Sequence, residues 1–276
     1  MDNKVEIKKE KSMSNVLLPG FKCPSFYNTH VVMKKDGVTK SFPIFEFKKR
    51  YVVLLFFPMD SSVDYSDLMA FKGNLKKFAR NDCQVVGVTS DSLITIENWM
   101  KLEPNQGGTG GPVNFPIISD KTMDVSKMFG VARPNGIPDR ATFILKKDIL
   151  DKNMIVKHSS VCPRVVGRSV EEVMKTLKAI KKIDQKIRDN TEKLCEACSD
   201  GDNEAVEHIL GGGDVDINGF EYGGNTPLML AVAKGHLDIV RRLLLHPGIQ
   251  LGKGNRVGIT ALHQMLSLIF FSQKYG

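Results

Sequence analysis

The residues best placed to do chemistry follow a single apolar run. Tyr51-Val-Val-Leu-Leu-Phe-Phe57 leads into Pro58-Met-Asp-Ser61-Ser-Val-Asp64-Tyr-Ser-Asp-Leu-Met-Ala-Phe71. In an open α/β sheet, reactive groups gather at the carboxyl ends of strands and at the N-termini of the helices that follow. This segment is therefore the first place to look. Its hydroxyl and carboxylate groups can cap a helix or pair with a cation. As a helix N-cap, Asp64 would stabilise by about 0.5–2 kcal/mol over alanine.

The thiols form the second set. Cys23, Cys83, Cys162, Cys195 and Cys198 are scattered and odd in number, which is the usage of a reducing compartment and not of a disulfide framework. Cys83 abuts a predicted buried strand and reads as core packing. Cys195-Glu-Ala-Cys198 has the spacing of zinc and redox sites. Zinc needs two more ligands, and only His208 is near in sequence. Redox pairs of this spacing open a helix after a strand, whereas this pair lies along a predicted helix, where small residues are wanted for packing. The glycines from Gly107 to Gly111 lack the following Lys-Ser/Thr and the preceding strand of a phosphate loop. No metal and no cofactor are expected.

The elements that must position these groups alternate. Tyr51–Phe57 is a β-branched and aromatic run, typical of a strand buried on both faces. Ser66 to Phe78 has helical spacing, with Leu68, Met69, Phe71, Leu75 and Phe78 on one side. Gln84–Thr89 and Ala141–Leu145 are further buried strands. Strand, helix and strand with short connections imply a βαβ unit and a mostly parallel sheet covered by helices. An amphipathic helix from Ser169 to about Arg188 closes this domain, with Val170, Val173, Leu177, Ile180 and Ile183 toward the core.

Composition sets outer bounds. The chain has 276 residues, 42% hydrophobic and 25% charged, enough for one or two cored domains. Its apolar runs are too short to span a bilayer, and the N-terminus has no apolar leader. A cytoplasmic protein without membrane partners is expected. Residues 1–14 are polar and lysine-rich and read as a disordered basic tail. The net charge of +8 invites a nucleic-acid reading. The lysines are spread over tail, loops and one helix with no nucleic-acid-binding motif, so no nucleic acid is expected.

After Asn190 the grammar becomes a repeat. Gly223-Gly-Asn-Thr226-Pro-Leu228 recurs as Arg256-Val-Gly-Ile-Thr260-Ala-Leu262, and Gly201 recurs as Gly235, in each case 34 residues on. The second unit, Gly-Asn-Thr226-Pro-Leu-Met-Leu-Ala231 with Gly235-His236-Leu-Asp-Ile-Val240, resembles the ankyrin repeat, whose period is close to this. Met229 stands where that family usually has histidine, and His263 keeps the histidine one unit later. The third unit stops after one apolar helix, Met265 to Phe271. About two and a half repeats are expected over 189–276.

Residues 15 to about 180, within a domain expected to span 15–188, resemble the peroxiredoxins, block by block. Phe57-Pro-Met-Asp60 is similar to the strand end that opens that family's active-site loop. Asp82-Cys-Gln-Val-Val-Gly-Val-Thr-Ser-Asp-Ser92 resembles the next strand and its exit, and Phe21-Lys-Cys23-Pro-Ser-Phe26 the N-terminal block, which gives Cys23 a packing role. Trp99, the glycine-rich loop to Pro112, and Phe115-Pro-Ile-Ile-Ser-Asp120 follow in order. Gly136-Ile-Pro-Asp-Arg140-Ala-Thr-Phe-Ile resembles the block with the family's active-site arginine, and Val166-Gly-Arg168-Ser-Val-Glu-Glu172 the start of the closing helix with a second pocket arginine. The resemblance implies an α/β, thioredoxin-like peroxiredoxin fold followed by an all-α repeat segment.

It also implies a site. The family motif is P-x-x-x-T-x-x-C; this chain has Pro58-x-x-Ser61-x-x-Asp64, one residue shorter and with aspartate for the reactive cysteine. Peroxide reduction needs a thiolate that becomes a sulfenic acid; a carboxylate has no such state. Tyr65 replaces the usual following proline, and the family's tail with its resolving cysteine is absent. Pro58, Ser61, Asp64, Arg140 and Arg168 thus form a degenerate pocket in which Asp64 either caps its helix or pairs with Arg140 and Arg168. Cys162, just before Gly167-Arg168, is the one thiol expected near it. Two functions follow from the resemblance. One is a scaffold without peroxidase activity that binds a protein partner through its repeats and forms homo-oligomers, or mixed ones with active peroxiredoxins. The other is a thiol peroxidase that uses Cys162, with thioredoxin or glutathione as reductant.

Overall fold

Among the described residues, seven strands form one sheet in the order β2-β1-β5-β4-β3-β6-β7: β1 (His30–Val32), β2 (Thr39–Ser41), β3 (Tyr51–Phe56), β4 (Cys83–Thr89), β5 (Ile117–Ser119), β6 (Arg140–Lys147) and β7 (Met154–Cys162). The structure is a computed structural model that describes residues 16–23, 30–32, 39–41, 49–59, 62–147, 154–163 and 166–267. Only β3–β4 and β4–β5 run parallel; the other four pairings are antiparallel. The mostly parallel sheet expected from sequence is therefore a mixed one. The βαβ core is present, but β6 and β7 form an antiparallel hairpin pair on one side of it and β1 and β2 on the other. The expected basic tail at 1–14 lies outside the described residues.

Side chains alternate across each strand, and that parity decides what faces the site. Val52, Leu54, Phe56, Val86, Val88, Ala141, Phe143 and Leu145 share one cluster with Phe129 and Val131. Three aromatic rings hold it together, with centroids 4.8–5.6 Å apart among Phe56, Phe129 and Phe143. Arg140 and Thr142, out of phase with Ala141 and Phe143, point to the opposite face. That face is covered by α1 (Ser62–Arg80), whose Leu68, Phe71 and Phe78 are at most 1% exposed. Two further helices are α2 (Leu93–Lys101) and the short α3 (Asp124–Met128), whose Val125 joins the aromatic cluster on the other face. Asp120 holds the start of α3, its carboxylate accepting from the backbone N–H groups of Val125 (3.0 Å) and Ser126 (2.7 Å).

Two helices differ from expectation. Helix α1 begins at Ser62, four residues before the expected Ser66. The closing helix α4 runs from Val170 to Asp200 without a break, absorbing what the repeat pattern suggested was a separate first helix. No glycine or proline lies between Ser169 and Gly201 to stop it. Leu177 and Ile180 are buried as expected, whereas Ile183 is 55% exposed and leaves the predicted core stripe. The chain divides into two compact units, Met1–Leu177 and Lys178–Gly276.

In the second unit, the end of α4 is followed by α5 (Asn203–Gly211), α6 (Pro227–Lys234), α7 (Leu237–Leu244) and helical residues 261–267. The last of these starts four residues before the expected Met265, and the remainder of the predicted helix lies outside the described residues. Thr226 caps α6, its hydroxyl accepting from Met229 N at 3.3 Å, while the Met229 thioether accepts from Thr226 N at 3.5 Å. One repeat later, His263 Nδ1 accepts from Thr260 N at 3.2 Å. Methionine thus does the histidine's work in the second repeat. Cys198 is buried in the shared core with Leu228, Met229 and Leu243, and Cys195 is buried as well.

The turns between helices follow the same period. The Glu221 carboxylate accepts from the backbone N–H groups of Gly223 and of Asn225, the latter at 3.2 Å. Asn255, 34 residues on, does the same for Val257 (3.1 Å) and Ile259 (3.0 Å). Burial pushes the Glu221 carboxyl up, but these N–H donors, the Asn225 side-chain amide and the Arg256 charge together outweigh it and the net shift is downward. A carboxyl depressed in the folded state stabilises above its unfolded pKa, and that contribution is lost as pH falls through the folded one. Glu221→Gln is therefore expected to lower the urea midpoint of helical circular dichroism at neutral pH, with the difference from wild type vanishing in acid.

Asn218 joins adjacent turns. Its Nδ2 donates to Gly248 O at 2.7 Å and its Oδ1 accepts from Gln250 N at 2.8 Å. Asn218→Ala leaves both backbone groups without that partner and is expected to cost about 1–3 kcal/mol, read as a lower urea midpoint of the same signal.

Candidate functional site

Helix α1 places two carboxylates on one of its faces. Asp64 and Asp67 are three residues apart, hence neighbours on a helix surface, and both face the sheet at 1% and 5% exposure. Asp64 sits in the first turn, where the helix dipole favours a negative charge. It lies inside the helix, so the expected N-cap role does not apply. Across from it, Arg140 rises from the first position of β6 and is fully buried.

Arg140 binds both carboxylates. Its Nη2 donates to Asp64 Oδ1 in a very short contact, and its Nη1 donates to Asp67 Oδ2 at 2.7 Å. Arg168, just before α4, completes the cluster. Its backbone N–H donates to Asp67 Oδ1 at 2.9 Å, its Nε lies 3.3 Å from Asp67 Oδ2, and its Nη2 donates to Phe56 O. Burial draws the Arg168 guanidinium down to about 10, with Asp67 opposing that fall. It therefore stays cationic at neutral pH. Two carboxylates against two guanidiniums leave the cluster neutral. An unpaired charge at such depth would cost several kcal/mol.

The structure thus brings together Asp64, Arg140 and Arg168. Pro58 is buried just beyond the end of β3, and Ser61 lies outside the described residues. Asp67 was not singled out in the sequence, yet it contacts both arginines. Its signal was the i, i+3 spacing from Asp64 on a helix that proved to start earlier than expected. Gly167 fits against it: a Cβ there would approach Asp67 Oδ1 to 3.3 Å.

Cys162 is the last residue of β7 and not a loop residue. It pairs in register with Arg140, and directly opposed residues project from the same face of a sheet. It is half-buried, whereas the other four thiols are buried. Burial pushes Cys23, Cys195 and Cys198 up to about 12 each, so these three are protonated at neutral pH. Among the described residues, no group of three or more His, Cys, Asp and Glu side chains is arranged to hold a metal ion, and no helix is long and apolar enough to cross a membrane.

A seven-stranded mixed sheet with an arginine-lined helix N-terminus at its strand ends defines a class. The chain belongs to the AhpC/TSA family, whose model matches residues 19–159, and ankyrin repeats (three copies) match residues 168–266. The chloroplastic 2-Cys peroxiredoxin BAS1 of Arabidopsis thaliana is 36% identical over 151 residues, 54% of this chain and 53% of that one. The chloroplastic 2-cysteine peroxiredoxin of Chattonella marina var. antiqua is 32% identical over 177 residues, 64% of this chain and 85% of that one. Among solved structures, reduced Plasmodium vivax 2-Cys peroxiredoxin superposes with a TM-score of 0.56 at 28% identity, covering 61% of this chain and 84% of that one. The match thus spans about half the length of the Arabidopsis relative. The fold is the thioredoxin-like peroxiredoxin fold, followed by a helical segment that matches ankyrin repeats.

Removing one charge from a buried pair typically costs about 3–5 kcal/mol. Arg140→Met and Asp67→Asn are each expected to destabilise the first unit by that order, measured in urea through the single tryptophan, Trp99.

Proposed function

We propose that this chain is a peroxiredoxin scaffold without peroxidase chemistry at the family's cysteine position, and that it acts as an interaction or regulatory protein through its ankyrin repeats. The observation that carries this reading is the buried contact between Asp64 and Arg140. On the resemblance of the surrounding motif, Asp64 stands where the family has its reactive cysteine. A carboxylate there is a hard nucleophile with no sulfenate state, and it already occupies the arginine that a peroxide oxygen would need. Helical repeats of this type bind through surfaces that carry no chemistry of their own. Self-association of the first unit, or mixed association with active peroxiredoxins, would display several repeat arrays together and raise avidity for a protein partner. The scattered reduced thiols fit a cytoplasmic setting.

A second reading keeps an enzyme. Cys162 is the half-buried thiol and lies in register with Arg140. A thiol peroxidase using Cys162 would need thioredoxin or glutathione to return it to the thiol.

The experiment is hydrogen peroxide consumption by the purified chain with a thioredoxin reducing system, run beside Asp64→Cys and Cys162→Ser. The scaffold reading expects a silent wild type. Turnover gained by Asp64→Cys would support Asp64 as the switched-off position. Wild-type turnover abolished by Cys162→Ser would replace the scaffold reading with the second one.

A further inference from the structure

The chain contains two Asn-Gly steps, Asn135-Gly136 and Asn218-Gly219, and their surroundings are opposite. Glycine has no side chain to shield its backbone nitrogen, so at such a step that nitrogen can reach the preceding asparagine's side-chain carbonyl carbon. Whether it does depends on how firmly the amide and the turn are held.

Asn218 is held on every side. It is 8% exposed, its Nδ2 and Oδ1 are bonded to Gly248 and Gln250, and its backbone N–H donates to Asp216 Oδ1 at 3.0 Å. The following glycine is crowded, with Thr191 Cγ2 2.5 Å from where a Cβ would stand. Asn135 is the reverse. It is exposed at the tip of the turn that joins Ala132 to Pro138. No hydrogen bond holds its amide among the described residues. Gly136 has φ +76° and nothing within 4 Å of its Cβ position. The one restraint on the attacking nitrogen is a 3.1 Å bond from Gly136 N to Arg133 O. Bonds at exposed loop tips open at a small fraction of the global unfolding free energy.

We propose that Asn135 is a modification site at which the side-chain amide converts spontaneously to a carboxylate, while Asn218 is kept unreactive by its contacts. The Gly136 nitrogen gives its proton to a solvent base and bonds to Asn135 Cγ. The Cγ–Nδ2 bond breaks and ammonia leaves with a proton from water. A water molecule then adds to either carbonyl of the five-membered imide, opening it to aspartate or isoaspartate. Nothing is oxidised or reduced. Each event lowers the formal net charge from +8 to +7. It places a carboxylate two residues from Arg133, whose guanidinium already pairs with Asp139 next to Arg140.

The full chain, aged in mildly alkaline buffer, is digested and its peptides followed by mass spectrometry, with isoaspartate measured separately. Asn135 is expected to convert at least about tenfold faster than Asn218 in the folded chain, as local opening alone allows. In urea the two rates are expected to converge. Gly136→Ala is expected to slow conversion at Asn135, since a methyl group shields the nitrogen. The proposal is overturned by equal rates at the two sites in the folded chain. It is equally overturned by an Asn135 that stays intact when folded yet converts in urea.

Discussion

Burying a guanidinium under a helix is tolerable only if carboxylates meet it there, and this domain buries two. Arg140 and Arg168 lie between α1 and the sheet, and among the described residues their carboxylate partners are Asp64 and Asp67. That requirement fixes several things at once. α1 must start early enough for both carboxylates to fall within it, one turn apart. β6 must begin at Arg140 in the phase that sends its side chain toward α1. The segment before α4 must come close enough for the Arg168 backbone N–H to reach Asp67. Strand phase, helix start and helix entry are thus tied by one electroneutral cluster.

The second unit depends on period instead of charge. Positions 34 residues apart perform the same task with different groups: a thioether in Met229 and an imidazole in His263, a carboxylate in Glu221 and an amide in Asn255. What the repeat conserves is an acceptor at a given place, supplied by whichever side chain can reach the backbone N–H. A reading keyed to residue identity sees Met229 as a departure. A reading keyed to hydrogen-bond capacity sees the same repeat.

Much of this was legible in the chain. The apolar runs of β3 and β4 announce strands covered on both faces, the resemblance named Arg140 and Arg168, and the Thr-Pro-Leu block located α6. Other features were not. Strand direction is absent from an apolar pattern, so the hairpins that make the sheet mixed were invisible. The length of α4 was obscured because two motifs, each with its own expected helix, sit end to end with no breaking residue between them. Asp67 lacked a motif of its own; its importance comes from a spacing that matters only once the helix start is known.

The same cluster bears on why a carboxylate can occupy Asp64 without ruining the fold. On the proposed reading, the family's position holds an anion beside arginine when its cysteine is a thiolate. Aspartate is an anion at neutral pH as well (reference value about 3.9), so the exchange preserves the charge balance around Arg140 while removing the sulfur on which peroxide chemistry depends. A neutral residue of similar size would keep the shape and leave a buried cation short of one partner. On that reading, electrostatics restricts the replacements that remove the sulfur and still close the domain, and an acidic side chain satisfies both.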